Sequence, residues 1–379
     1  MNIILDDLDN HLTFAPLTLT RPVGNLRMGM WTNDERWKMY FPDAEISFKT
    51  EDYLANKFPL KKENDNFWVN ASIIPNEELI PHIEKLKKDE TLVVNGVFVA
   101  HRGEECSTEN KTHLAMDSLI YIKERWNLYQ CNSDVLEADF SFYTKDKKGF
   151  ILSNSNTLIG ASENVFIEEG AIVEGAVINV NDGPVYIGKN AEVMEGSLIR
   201  GGLAMAECAV LKMAAKIYGC TSIGPHCKVG GEVNNVVFQG FSNKGHEGFI
   251  GNSLIGEWCN IGADTNCSNL KNNYGTVKTY NYKLEKLDQT DVQFMGVCMG
   301  DHSKTGINTM FNTATVVGVS ANVFGADFPP KYIPNFSWGG HDNAEKFQFD
   351  KSLEVANNMM KRRKLKLTDD DVSILKKLF

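Results

Sequence analysis

At 379 residues the chain exceeds one ordinary domain, and typical domain sizes imply two or three units. Aspartate and glutamate number 49 against 39 lysine and arginine, a formal charge of −10. That balance excludes a protein whose main partner is a nucleic-acid backbone or an anionic membrane, and leaves room for a small anion at a locally basic site. Apolar residues, at 42%, can fill a sizeable core, and the 31 glycines are unevenly spread.

The first residues, MNIILDDLDNHL, carry no basic stretch followed by a long apolar run, so no signal peptide is expected. No window nears the roughly 18 apolar residues of a membrane span, and a cytoplasmic location is expected. None of the eight cysteines forms a C-x-x-C pair. They read as buried small hydrophobes in a reducing compartment, and no metal site is assigned to them.

Residues 1–150 read as an α/β domain. Apolar runs at 1–5, 66–74 and 91–100 alternate with helical patterns over 76–88 and 112–125. Pro75-Asn76-Glu77-Glu78 has the form of a helix start.

Residues 151–328 differ. Glycine is dense, and Ile-Gly or Val-Gly pairs recur, as at Ile187-Gly188, Ile223-Gly224, Val229-Gly230 and Ile261-Gly262. Stepping by six from Ile187 gives Val193, Ile199, Met205, Leu211, Ile217, Ile223 and Val229, one unbroken aliphatic phase. With about a quarter of residues aliphatic, chance produces such a run about once in 10⁵ starting points. Four residues further into each hexad sit Ala191, Ser197, Leu203, Ala209, Ala215, Thr221, Cys227 and Val233, mostly small. This is the pattern of a left-handed parallel β-helix of hexapeptide repeats. Each hexad is a short strand plus a corner, and three close a triangular coil of about 18 residues. The aliphatic points inward, the small residue sits where the interior is tight, and glycine relaxes the turn. About ten such coils are expected by the same arithmetic.

The phase breaks are informative. Val229 to Phe249 spans 249 − 229 = 20 residues, which implies two extra residues in a coil. Residues 267–291 hold no hexads and read as a loop expelled from the coil. Carrying Tyr274, Tyr280 and Tyr282, it is expected to be ordered and to cover a substrate. Residues 329–379 form a tail, with helices predicted over 350–363 and 368–379, the second capped by Thr368. The basic run at 360–366 reads as a solvated face.

Among the eight histidines, His11, His82, His101 and His113 lie in the first domain and His341 in the tail. His226 sits in a hexad turn and His302 is a second candidate for chemistry. His246 is the sharpest, because it stands in the phase break just before the expelled loop. Arg200, Lys212, Lys216 and Lys228 cluster on the repeats before it and could meet a phosphate.

The stretch NKGHEGFIGNSLIGEWCNIGADTNCSNLKNNYGTVKT resembles the acetyltransferase half of a bifunctional family. That family combines glucosamine-1-phosphate N-acetyltransferase and N-acetylglucosamine-1-phosphate uridylyltransferase activities. Its pattern is a histidine, an aromatic, an Ile-Gly-x-x-x-Asn-Ile-Gly-Ala run and an Asn-Tyr loop with a nearby lysine. The resemblance implies a homotrimeric hexapeptide acyltransferase acting on an amino-sugar phosphate, with acetyl-CoA as co-substrate. It implies His246 as general base and Asn273, Tyr274 and Lys278 as acceptor ligands. Phe249 stands where the family carries tyrosine. Acetyl-CoA would lie along residues 296–323, with Lys304 and Lys331 as contacts.

FAPLTLTRPVGNLRMGMWTNDERW (14–37) resembles a shorter, alternative branch of the same family through its L-T-x-T-R-P-x-x-x-L-R-x-G pattern. This implies nucleotidyl transfer of a sugar-1-phosphate, with Arg21 and Arg27 on phosphate and Mg²⁺ required if the domain is active. No Gly-rich loop follows the first strand, and Val97 occupies the place of a metal-binding aspartate, leaving Asp6 and Asp7 as possible substitutes. Two alternatives stay open: a nucleotidyltransferase with a structural β-helix, and a non-catalytic trimeric scaffold.

Overall fold

The computed structural model describes residues 1–340 and 344–379, so His341 lies outside the described residues. The chain divides into two compact units. The first comprises Met1–Leu26 and Trp31–Arg125, the second Arg27–Met30 and Trp126–Phe379. The boundary expected near residue 150 therefore falls inside the second unit, which also holds the helix Asn132–Thr144.

The first unit is built on a six-stranded sheet in the order Glu45–Lys49, Asn2–Asp6, Asn66–Asn70, Val97–Gly103, Glu90–Val94, Lys111–Leu114. Asn2–Asp6 runs parallel to both neighbours and is buried throughout. The apolar run at 91–100 is two strands, because Asn95 and Gly96 both adopt positive φ and fold it into a hairpin. The helix expected over 112–125 is not formed. Lys111–Leu114 pairs with Glu90–Val94, and Ile120–Tyr121 with Ile73–Ile74, so strand pairing overrides the local pattern. Over 76–88 the helix shrinks to Ile80–Glu84, since Pro81 can sit only in its first turn. Asn33–Tyr40, a helix absent from the sequence reading, starts on a Thr32–Glu35 capping box.

The second unit is the β-helix, in the fold class read from the hexads: a left-handed parallel β-helix of hexapeptide repeats with a short helical tail. Its strands stack on three faces. The first carries Val177–Asn179, Leu198–Arg200, Lys216–Tyr218 and the beginnings of the long strands Glu232–Gly240 and Phe249–Glu257. The second runs from Val165–Ile167 through Thr221–Ile223 to Cys298–Met299, Val316–Val317 and Tyr332–Ile333. The third carries Ile172–Val173, Glu192–Val193, Val210–Leu211, Lys228–Val229 and Asn243–Lys244, then Lys304–Thr305 and Asn322–Val323. All eight aliphatics of the six-residue phase, and all eight residues four places on, are buried.

Two expectations about this solenoid are corrected. The phase break is a shortening, not an insertion. Val229 pairs with Lys244 and Glu232 with Phe249, so this coil spans 244 − 229 = 15 residues on the third face and 249 − 232 = 17 on the first. Ile250, beside Val233, takes the inward place, and Phe249 turns outward. The recurring glycines also do something other than relax a turn. Gly188, Gly224 and Gly262 have no positive φ. A Cβ on each would lie 2.6, 2.1 and 2.3 Å from a carbonyl oxygen of the next coil. The left-handed turn positions are shared: glycines such as Gly170, Gly175, Gly196 and Gly219 hold some, and Asn190, Cys208, His226, Phe241, Trp258, His302 and Ser320 hold others.

The stack ends in the tail. Ser337–Trp338 pairs with Glu345–Lys346 in antiparallel register. Phe336, Phe349 and Phe379 pack together. The tail helices are Phe349–Lys361 and Asp369–Leu378, the latter with a Thr368–Asp371 capping box.

Candidate functional site

His246 lies on the corner between Asn243–Lys244 and Phe249–Glu257. Its side chain is exposed, and no hydrogen bond to the ring occurs among the described residues. Lys216 reaches this corner from the first face and pairs with Glu247 at 3.1 Å. Tyr218 on the same strand donates to Glu232 at 2.6 Å. Phe249 opens the first face beyond His246.

The four basic residues read together from the sequence do not form one cluster. Arg200 is paired with Asp182 at 2.6 Å. Lys216 is on the first face, whereas Lys228 is on the third, with Lys212 at the corner that leaves it. Burial lowers the Lys228 pKa, and the positive charges of Arg363, Lys212 and Arg362 lower it further. The basic run of the tail therefore carries its charge next to Lys228.

The expelled loop folds into an antiparallel hairpin, Lys278–Asn281 with Lys286–Gln289. It has a small core of its own in Val277, Val292, Met295 and Ala314. Tyr280 stacks on Tyr332 at 3.5 Å and meets Tyr282 edge-on. Asn273 is exposed and spends its carbonyl oxygen on the Gly275 N–H at 3.0 Å, a local turn. Tyr274 and Lys278 are exposed. Among the described residues no hydrogen bond or ion pair joins His246 to Asn273, Tyr274 or Lys278. The loop base does reach the first face, where Asn266 accepts from the Phe249 N–H and Asn269 donates to Asn252. At that end of the face a cleft of about 640 Å³ is lined by Asn234, Asn235, Asn252, Tyr129, Gln293 and Phe294, a site the sequence did not single out. From Phe249 to Asn252 is three strand residues, about 10 Å along the first face, and His246 is not among the residues that line the cleft.

The residues expected at acetyl-CoA have separate surroundings. Lys331 lies 3.5 Å from the Lys278 carbonyl, which brings it to the expelled hairpin. Lys304 is turned back, donating to the His302 carbonyl at 2.6 Å, and burial lowers its pKa to about 8. The unfolded chain keeps that proton up to about pH 10.4. The contribution of Lys304 to stability is therefore least below about pH 8 and grows as pH rises from there toward about 10.4. Thermal melts should show the wild type gaining on Lys304→Met between about pH 7.5 and 9.5, and a constant difference contradicts this.

In the first unit Arg21 is buried. Arg27 belongs to the second unit, where its N–H and Nε both bond Gln239, at 2.7 and 3.1 Å. A cavity of about 470 Å³ opens at the end of Asn2–Asp6, lined by Asp6, Asp7, Asp9, Lys49, Thr50 and Asp52. Two of its carboxylates are engaged, Asp6 with Lys49 and the Leu8 N–H and Asp7 with the Val23 N–H and Thr50, while Asp9 and Asp52 are exposed. Burial raises the Asp7 pKa. Val97 follows the hairpin turn and offers no oxygen. No cluster of three or more potential metal ligands occurs among the described residues. This donor set does not fit Mg²⁺, which wants several oxygens converging on one point.

Residues 3–148 match the sugar nucleotidyl transferase family model. The bifunctional protein GlmU of Methanocaldococcus jannaschii is 31% identical over 258 residues, covering 66% of this chain and 54% of that protein. The bifunctional protein GlmU of Trichodesmium erythraeum is 27% identical over 154 residues, covering 40% of this chain and 28% of its own length. The chain thus spans about half the length of the first relative and less of the second. The solved UDP-N-acetylglucosamine acyltransferase of Francisella novicida aligns with a TM-score of 0.31 at 13% identity, over 60% of this chain and 90% of that one.

Proposed function

We propose that the second unit transfers the acetyl group of acetyl-CoA to the amine of glucosamine-1-phosphate, and that His246 is the general base. The observation that carries this is an exposed imidazole, with no hydrogen bond to it among the described residues, on the corner whose next strand is bonded through Phe249 to Asn266 at the base of the expelled loop. The amine attacks the thioester carbonyl and His246 takes its proton, while CoA leaves as the thiolate. Lys216 supplies positive charge for the phosphate, and the amides of Asn234 and Asn252 face the sugar hydroxyls. Lys278 and Lys331, side by side, suit the phosphates of CoA. The site is completed between neighbouring prisms of a cytoplasmic homotrimer. Similarity to bifunctional GlmU proteins over two thirds of the chain supports the substrate pair. The test is to supply glucosamine-1-phosphate and acetyl-CoA and follow free CoA; absence of release overturns the reading.

The match over residues 3–148 favours a second reading, sugar-1-phosphate nucleotidyl transfer by the first unit. The engaged Asp6 and Asp7, the lack of three converging metal ligands among the described residues, and Val97 argue that this unit binds a sugar nucleotide without turning it over. With UTP, Mg²⁺ and N-acetylglucosamine-1-phosphate, no pyrophosphate above background is expected. Release that survives purification reinstates the nucleotidyltransferase.

A further inference from the structure

Lys244 stands where the solenoid calls for an aliphatic. On the third face the inward places of successive coils are Val173, Val193, Leu211 and Val229, and then Lys244. In the next coil Asn260 lies beside Asn243, so Ile261 resumes the column. The Lys244 side chain is 1% exposed. A charged lysine in such a place costs several kcal/mol unless its proton or its hydrogen bonds compensate.

Both occur. Nζ donates to the Gly230 carbonyl at 2.8 Å and to the His246 carbonyl at 2.9 Å. Among the described residues no backbone N–H reaches either oxygen. Gly231 keeps the space open, since a Cβ there would lie 2.7 Å from both Nζ and the His246 oxygen. Burial pushes the Lys244 pKa down to about 8; nearby Glu247 opposes this, Lys216 adds to it and Glu232 opposes it. A neutral amine has two N–H groups, matching the two carbonyls.

We propose that Lys244 is a positioning residue for acetyl transfer: by holding the His246 carbonyl toward the prism interior it fixes the 246–247 peptide and aims the imidazole outward. This rests on His246 being the base. Without the lysine, two inward carbonyls lose the one donor they have among the described residues, and rotation of that peptide is the direct way to regain one from water.

The test uses the full chain with glucosamine-1-phosphate and acetyl-CoA. Lys244→Met keeps the volume and removes the donors, whereas Lys244→Gln returns two N–H groups. The Met variant should lose roughly 10- to 100-fold in kcat, the scale of a small misplacement of a reacting group. Its KM for acetyl-CoA should stay within about twofold. The acid limb of its kcat/KM–pH profile should shift, and Gln should restore both kcat and profile. A purely structural lysine would lower the folded fraction and leave kcat per folded molecule and the pH profile unchanged, which overturns the proposal. If Met does not fold, Gln decides: kcat within about threefold of wild type supports the proposal and a larger loss overturns it. His246→Ala is run alongside. If it is inactive while Lys244→Met is fully active, the base stands and the positioning role falls. If His246→Ala keeps its activity, the base reading itself falls, and the positioning role with it.

Discussion

His246→Ala is expected to lower CoA release by about 10²- to 10⁴-fold, the usual contribution of a positioned general base. The loss should fall on kcat, because an exposed ring with no bonded partner contributes little to ground-state binding. For the same reason the fold should hardly notice: an exposed substitution of this kind costs about 0.5 kcal/mol or less. No neighbour can take over. Glu247 is paired with Lys216. His226 and His302 belong to a different corner, where they form the ends of a ring stack through Phe241 and Trp258 with centroids 5.1, 4.3 and 6.4 Å apart. His226→Ala and His302→Ala should therefore keep kcat within about threefold, even if they melt earlier. Undiminished CoA release from His246→Ala rejects the assignment.

The largest effect on stability is expected from one methyl group. A Cβ on Gly224 would lie 2.1 Å from the Gln239 oxygen and 2.5 Å from its carbon. Neither side can give. The Gly224 N–H is bonded to the Phe238 carbonyl at 3.0 Å, Ile223 and Phe238 are locked in the core, and Gln239 is held by Arg27. Gly224→Ala should cost about 3 kcal/mol, the upper range for overpacking. In a unit of this size that lowers Tm by roughly 6–12 °C. Gly96→Ala is the matched control. Gly96 has φ +79° with nothing within 4 Å of a Cβ, so it costs only the strain of a left-handed backbone, about 1 kcal/mol. Differential scanning calorimetry separates the two, and equal Tm shifts would contradict the close-approach argument.

The solenoid was legible because its side chains repeat: Ile187 through Val229 face inward on a fixed step, and a fixed step survives in a bare sequence. Lys244 hid the continuation. A lysine does not look like an inward residue, so the six-residue phase picks up next at Phe249 and makes a shortened coil look like a lengthened one. The corners were hidden for a related reason. Left-handed φ is expected of glycine, but His226, Phe241, Trp258 and His302 adopt it because each corner N–H bonds the coil before, as His226 does to Glu207 and Trp258 to Gly240. In the first unit Asn95-Gly96 carried a hairpin signal that the long apolar run concealed. The run at 112–125 was misread because Thr112, Ile120 and Ile122 gain more from strand partners than from a helix. At the site, the His246 corner and the loop beside it were legible from the broken phase. The fates of Arg200, Arg27 and Asn273 were not, since each is decided by a partner or turn that spacing does not encode: Asp182, Gln239 and the Gly275 N–H.

The antiparallel pairing of Glu345–Lys346 on Ser337–Trp338 has a consequence for self-association. A parallel stack is a template for its own continuation: its last rung offers the same row of amides and carbonyls that accepted every rung before it, and a second molecule can dock there end to end. Reversing one strand changes the spacing of those groups, so an incoming coil finds no register to continue. The lysine on that strand adds a charge that deters edge pairing. On the third face the tail thus replaces the parallel edge with a reversed strand, and its removal is expected to leave that edge open to pairing, which sedimentation of a truncated chain would check.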